Sequence, residues 1–330
     1  MRVHVLGAGI VGLACADELR RRGHDVAVVD PAPGSGATYA AAGMLSPAGE
    51  AWYGEPDVHR LGLRSAAMWP EYADRLGVPL QRSGTLLVGL DPGDLQQVQR
   101  QADLLAGLGV AVDLLDGREA RRLEPTLARV AGAATLPDDH SVAPRAVVAA
   151  LMERVPVTAA PPDEVPDLRL VATGACLPEP WRHLVHGVRG EILRARTDDP
   201  PTRVLRSWVR GEPVYVVPRP GGELVVGATV EEHDEPPVAT LGGVERLLTA
   251  ARQLVPGLDR AELLEVTARD RPATADRLPL VGPVDERTWL AAGHFRHGVL
   301  LAPLTAQLVA DGVEGGAVDP ALDPRRLEET

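Results

Sequence analysis

The chain of 330 residues contains no lysine and no asparagine, and all 34 of its basic residues are arginine. Without lysine there is no Schiff-base amine and no phosphate-loop ammonium. Without asparagine, one common oxyanion donor is missing. Aromatics are scarce, at five Trp, four Tyr and one Phe, so the core must rest on Leu, Val and Ala. The two cysteines, Cys15 and Cys176, form neither a disulfide framework nor a metal-ligand spacing. They are expected to be packing residues in a reducing cytoplasm. No apolar run approaches ~18 residues, so no membrane span is expected. The short apolar start is broken by Gly7, Gly9 and Gly12 and does not read as a signal peptide. The net charge of −12, with acids dispersed along the chain, argues against a nucleic-acid partner. His183 and His186, like His294 and His297, stand three residues apart. Neither pair has a third ligand, so no metal is expected.

What is present begins at the N-terminus. Arg2 to Leu6 reads as a short buried strand, Val11 to about Arg22 as a helix, and Val26 to Val29 as a second strand. Between the first two lies Gly7-Ala8-Gly9-Ile10-Val11-Gly12. Gly7 permits a tight turn, Gly9 admits backbone to a diphosphate, and Gly12 lets helix and strand pack closely. Asp30 closes the second strand, where an acid can accept from a ribose hydroxyl. FAD and NAD share this fingerprint, so it does not choose between them.

Further along, Leu168 to Ala172 is a clean buried strand ending in Thr173-Gly174. Segments near 188–193, 206–210, 214–217 and 223–226 read as successive strands, and 263–269, 280–284 and 288–292 as further short strands, with helices near 59–76, 95–108, 145–154, 244–254 and 299–311. A Pro-rich stretch fills 155–168, and the last dozen residues are expected to fray. The length suits two domains.

Four segments then occur in a telling order. They are Ala41-Ala42-Gly43-Met44-Leu45; Tyr215 to Arg219 with Val226-Gly227-Ala228-Thr229; Arg271-Pro272 with Pro279 to Gly282; and Gly293-His294-Phe295-Arg296-His297-Gly298. The series resembles the D-amino-acid-oxidase superfamily of FAD-dependent oxidoreductases, most closely the glycine oxidases of thiamine biosynthesis, over nearly the whole chain.

The resemblance implies an α/β fold: a discontinuous FAD-binding Rossmann-like domain (1–50, 135–178, 265–330) and a substrate-binding domain (51–134, 179–264) with a mixed, largely antiparallel sheet. It implies FAD held by Gly7, Gly9, Ile10, Val11, Gly12, Asp30, Ala41, Ala42, Gly43, Met44, Leu45, Val157, Thr173, Gly174, His297, Gly298, Val299, Leu300 and Leu301. No cysteine lies near Arg271, so the flavin is expected to be noncovalent. Arg271, with its planar fork, and Tyr215 resemble the family's carboxylate-binding pair. Arg296 matches an active-site arginine, and Val230 and Met44 are expected to wall the substrate.

The implied reaction is oxidative deamination of a small, glycine-like amino acid, with O2 reduced to H2O2. Larger D-amino acids, sarcosine and other N-alkyl glycines stay open as substrates, as does a homo-oligomer. An NAD-linked dehydrogenase using the first motif alone is the competing class. One departure stands out: the β-meander usual before the Thr173 strand is replaced by the Pro-rich stretch.

Overall fold

The computed structural model describes residues 1–233 and 235–327. Its first sheet has the order β16 (Leu280–Pro283), β17 (Thr288–Ala292), β10 (Leu168–Val171), β1 (Arg2–Leu6), β2 (Asp25–Val29) and β9 (Val157–Thr158). All pairs are parallel except β16 with β17. Buried on both faces, β1 reads Val3-His4-Val5 with every residue inside, as a central parallel strand requires.

Helix α1 (Ile10–Arg21) follows the glycine turn and packs against α6 (Pro144–Met152) and α8 (Gly298–Val313). A Cβ on Gly12 would collide with the Gly7 carbonyl and crowd the Ala172 side chain at 3.2 Å. The third glycine therefore sets how closely α1 lies on the strands. Helix α8 is buried almost all round. Its Leu300 carbonyl accepts from Ser65 Oγ (2.6 Å) and Trp69 Nε1 (2.8 Å), both on α3 (Pro56–Leu76).

The second sheet has the order β15 (Glu262–Ala273), β11 (His186–Arg196), β14 (Glu223–Gly227), β13 (Glu212–Pro218), β12 (Val204–Val209), β5 (Thr85–Gly89), β7 (Gly132–Leu136) and β6 (Asp113–Asp116). Only β12 with β5 is parallel, so the expected mixed, largely antiparallel sheet is present. Helices α4 (Pro92–Gly107), α5 (Gly117–Leu123) and α7 (Leu241–Leu254) cover it. Each begins on a capping side chain: Asp91, Asp116 and Thr240 respectively. A small sheet of β3 (Met44–Leu45), β8 (His140–Val142) and β4 (Leu80–Gln81) completes the strands, and α2 (Ala37–Ala40) lies before it.

Several expected features lie differently in the structure. The boundary at 265 falls inside β15, whose pairing with β11 runs from Glu262 to Ala273; the whole strand belongs to the second sheet. The boundary at 135 likewise cuts β7. Residues 56–76, assigned to the substrate side, form α3, whose Leu61, Trp69 and Leu76 join the core cluster of α1 and α8. The C-terminal stretch is docked, with Leu322 buried and its carbonyl accepting from Val281 N at 2.8 Å. Residues 328–330 lie outside the described residues. Cys15 is buried as expected, but Cys176 is exposed just after the turn at Gly174. Between Met152 and Leu168, β9 is the one described strand, and Val157 pairs with Val28 at the sheet edge.

Candidate active site

The carboxyl ends of β1, β2, β10 and β17 face the second sheet across a cavity of about 390 Å³. In open α/β sheets, ligands bind at this end of the strands. The turn after β1 is shaped for close approach. Gly7 has φ of 107° and abuts the Ala172 carbonyl. Gly9 is the N-cap of α1, and no side chain caps it. The amides of the first turn thus remain for an anion, one excepted: Ile10 N donates to Thr38 Oγ1 at 3.2 Å. Asp30 accepts from Ala8 N (2.7 Å) and Ala32 N (2.8 Å). It holds the turn and also lines the cavity; each carboxylate oxygen keeps a further lone pair.

At the other end, α8 starts on His297, whose side chain does not cap the helix. Burial pushes His297 down to about 4 and His294 down to about 3. Both imidazoles are therefore neutral at pH 7, and His294 Nε2 lies 2.9 Å from Thr305 Oγ1. Gly298, Val299 and Leu300 line the cavity, so this helix start aims its amides and dipole into it.

Arg271, Tyr215, Arg296 and Met44 all reach the same cavity. Arg271 Nη1 donates to the carbonyls of Arg189 (3.1 Å) and Thr229 (3.2 Å). No carboxylate among the described residues pairs with it. Burial lowers the Arg271 pKa, and the nearby Tyr215 opposes that. Burial also raises the Tyr215 hydroxyl, which keeps it a neutral donor. Arg296 lies 3.6 Å from Glu50 Oε2 and stacks near Trp52 and Phe295. Phe295 itself sits at φ of 45°, a region that bulky residues rarely enter.

Of the expected residues, Gly7, Gly9, Ile10, Val11, Asp30, Ala41, Ala42, Gly43, Thr173 and Gly174 also line the cavity. Five others do not. Val230 is 54% exposed and outside the lining, while Ala228 and Thr229 before it are buried. Leu45 and Leu301 turn their side chains into the core. Gly12 serves packing, and Val157 stays on the sheet edge.

The sequence reading missed Glu50, Arg206 and Gly190. Glu50 lines the cavity and pairs with Arg206 as well as Arg296. Burial pushes its pKa up, yet Arg206 and Arg296 prevail and hold it at about 2. It is an anion at neutral pH and, held so low, a weak base. No local pattern marks it, since its partners are remote in sequence.

Asp139 sets the turn that carries Glu50 by accepting from Ala48 N (3.2 Å) and Gly49 N (2.7 Å). Burial pushes its pKa up to about 7. An unfolded Asp titrates near 3.9 (about pH 4), so between about pH 4 and 7 the folded state keeps a proton that the unfolded state has released. Its contribution to stability therefore falls as pH rises through that window. Asp139→Asn should flatten the dependence, which thermal melts of parent and variant at pH 5 and pH 8 would read. An unchanged dependence in the variant would refute the assignment.

The residues fit a flavin dinucleotide on two observations: the Cβ-free cradle at Gly7 and Gly9, and two uncapped helix starts opening on one cavity. Comparison with known proteins agrees. The family model for FAD dependent oxidoreductases matches residues 2–158 and 164–312. Glycine oxidase of Geobacillus kaustophilus is 33% identical over 352 residues, covering 94% of this chain and 92% of that protein. Glycine oxidase of Bacillus licheniformis is 30% identical over 354 residues, covering 95% and 93%. The crystal structure of glycine oxidase from Geobacillus kaustophilus superposes with a TM-score of 0.86 at 31% identity, covering 96% of each chain.

Proposed function

The chain belongs to the FAD dependent oxidoreductase family, and from that premise we propose that it oxidatively deaminates a small, glycine-like amino acid. The carrying observation is Arg271, a half-buried cation that pairs with no carboxylate among the described residues, beside Tyr215 in the dinucleotide cavity. An amino acid supplies the missing carboxylate. Arg271 Nε and Nη2 make no hydrogen bond within the described residues, so the fork can meet both oxygens. Tyr215 adds a neutral donor.

FAD held in this cavity would supply a hydride acceptor that O2 can reoxidise, giving H2O2. The residues of the chain orient the Cα–H, exclude water and fix charge. Glu50, held well below the usual carboxylate range by Arg206 and Arg296, is too weak a base to abstract a proton; the substrate amine must arrive neutral. The imino acid is then hydrolysed to the keto acid and ammonia. The uncapped start of α8 would favour negative charge on a flavin held in this cavity. Exposed, unpaired Cys176 supports a reducing compartment such as the cytoplasm.

No cysteine lines the cavity among the described residues, so the flavin should be released by acid. Yellow colour should pass wholly into the supernatant; colour left in the pellet would show a covalent tether. Anaerobic glycine should bleach the holoprotein, and air should restore it with one peroxide formed per turnover. Sarcosine and D-alanine run beside glycine set the substrate class. NAD-dependent turnover at a comparable rate would overturn the proposal.

A further inference from the structure

Gly190 sits inside β11, an eleven-residue strand. An interior strand glycine forgoes packing and often marks a close approach. Here the approaching group is identifiable. A Cβ built on Gly190 would collide with Cζ, Nη1 and Nη2 of Arg271 alike. Simultaneous contact with all three atoms means that the flat face of the guanidinium lies against the glycine. Gly190 and Ile192 both line the cavity. The alternate residues point elsewhere: Arg189 to Asp270 and the carbonyls of Glu235 and Pro236, Glu191 to Thr240. Strand alternation therefore presents the bare position to the site.

We propose that Gly190 is a positioning residue that seats the Arg271 guanidinium and fixes the plane in which a substrate carboxylate is received. Nη1 is anchored on the Arg189 and Thr229 carbonyls, and contact with Gly190 removes the remaining tilt. A methyl group at residue 190 pushes the guanidinium off its seat, misaligning the fork without removing its charge. The proposal rests on the reading of Arg271 as the carboxylate ligand.

The test uses FAD-loaded protein and three variants: Gly190→Ala, Arg271→Ala and the double variant. Gly190→Ala should reduce kcat/KM for glycine on the order of 100-fold, mainly through KM, with flavin content retained. Glycolate should no longer perturb the flavin spectrum at concentrations that saturate the parent. In the Arg271→Ala background, Gly190→Ala should change kcat/KM by less than about threefold, because no guanidinium remains to displace. Equal losses in both backgrounds would assign Gly190 to the sheet or the cofactor and overturn the proposal, as would a parent-like Gly190→Ala. If Gly190→Ala fails to fold, the double variant decides: restored folding sustains the proposal and continued failure overturns it. Should Arg271→Ala alone leave glycine turnover intact, the carboxylate reading itself fails, and this proposal falls with it.

Discussion

Arg271→Ala should lose at least two orders of magnitude in kcat/KM for glycine while still binding FAD. The guanidinium is half-buried and pairs with no carboxylate among the described residues; its Nη1 is anchored on two main-chain carbonyls. A carboxylate meeting it is partly desolvated, and truncating one partner of such a pair costs roughly 2–5 kcal/mol. That corresponds to about 30- to 5,000-fold in kcat/KM. Flavin retention is expected because Arg271 lies on β15, in the second sheet, while the dinucleotide cradle lies on the first. Arg271→Lys should recover little, since an ammonium cannot reproduce the planar fork. Arg296→Ala serves as the control. Arg296 is engaged with Glu50, Trp52 and Phe295, so a smaller loss is expected. Steady-state kinetics with peroxide detection decides. Near-parent kcat/KM for glycine and every amino acid tested would show that the carboxylate binds elsewhere. Loss of flavin instead would make Arg271 a cofactor or folding residue.

The parts legible in the sequence are those written locally. The β1–Gly7–α1–β2 unit carries its periodicity, glycines and closing acid within about thirty residues, a span typical of such a unit, and the structure reproduces it with Gly12 as the packing glycine. Arg271, Tyr215 and Arg296 are marked by the short segments that flank them, and all three line the cavity. Glu50 has no such mark, because one acid among 46 Asp and Glu becomes distinctive only when Arg206 and Arg296 fold over it. Gly190 escaped for the same reason: its steric partner is 81 residues away on β15 (271 minus 190). The boundary expected at 265 lies inside β15, whose place comes from pairing with β11, and no local pattern reveals that pairing. Val230 was placed by analogy of position. The chain direction after β14 turns it to solvent.

Gly9→Val should yield a folded protein that has largely lost FAD. In the structure a Cβ on Gly9 meets only Thr38 Oγ1, at 3.4 Å, an ordinary contact. Its φ of −75° suits any residue. The folding penalty is that of a poor N-cap, about 1 kcal/mol. The cofactor penalty is larger. A branched side chain at the turn overfills the space that the diphosphate needs, at roughly 1–3 kcal/mol. Keeping the phosphates away from the α1 amides forfeits charge-assisted hydrogen bonds worth about 1.5–3 kcal/mol. Together, roughly 2.5–6 kcal/mol corresponds to about 70- to 25,000-fold in affinity. Gly7→Val is the contrast. There φ is 107° and the Cβ collides with the Ala172 carbonyl, so fold and flavin should fail together. Titration of each apoprotein with FAD, read by flavin fluorescence beside far-UV circular dichroism, separates the two cases. Parent-like FAD affinity in Gly9→Val would mean that the diphosphate does not lie on this turn, and the anion site would have to be sought at the start of α8.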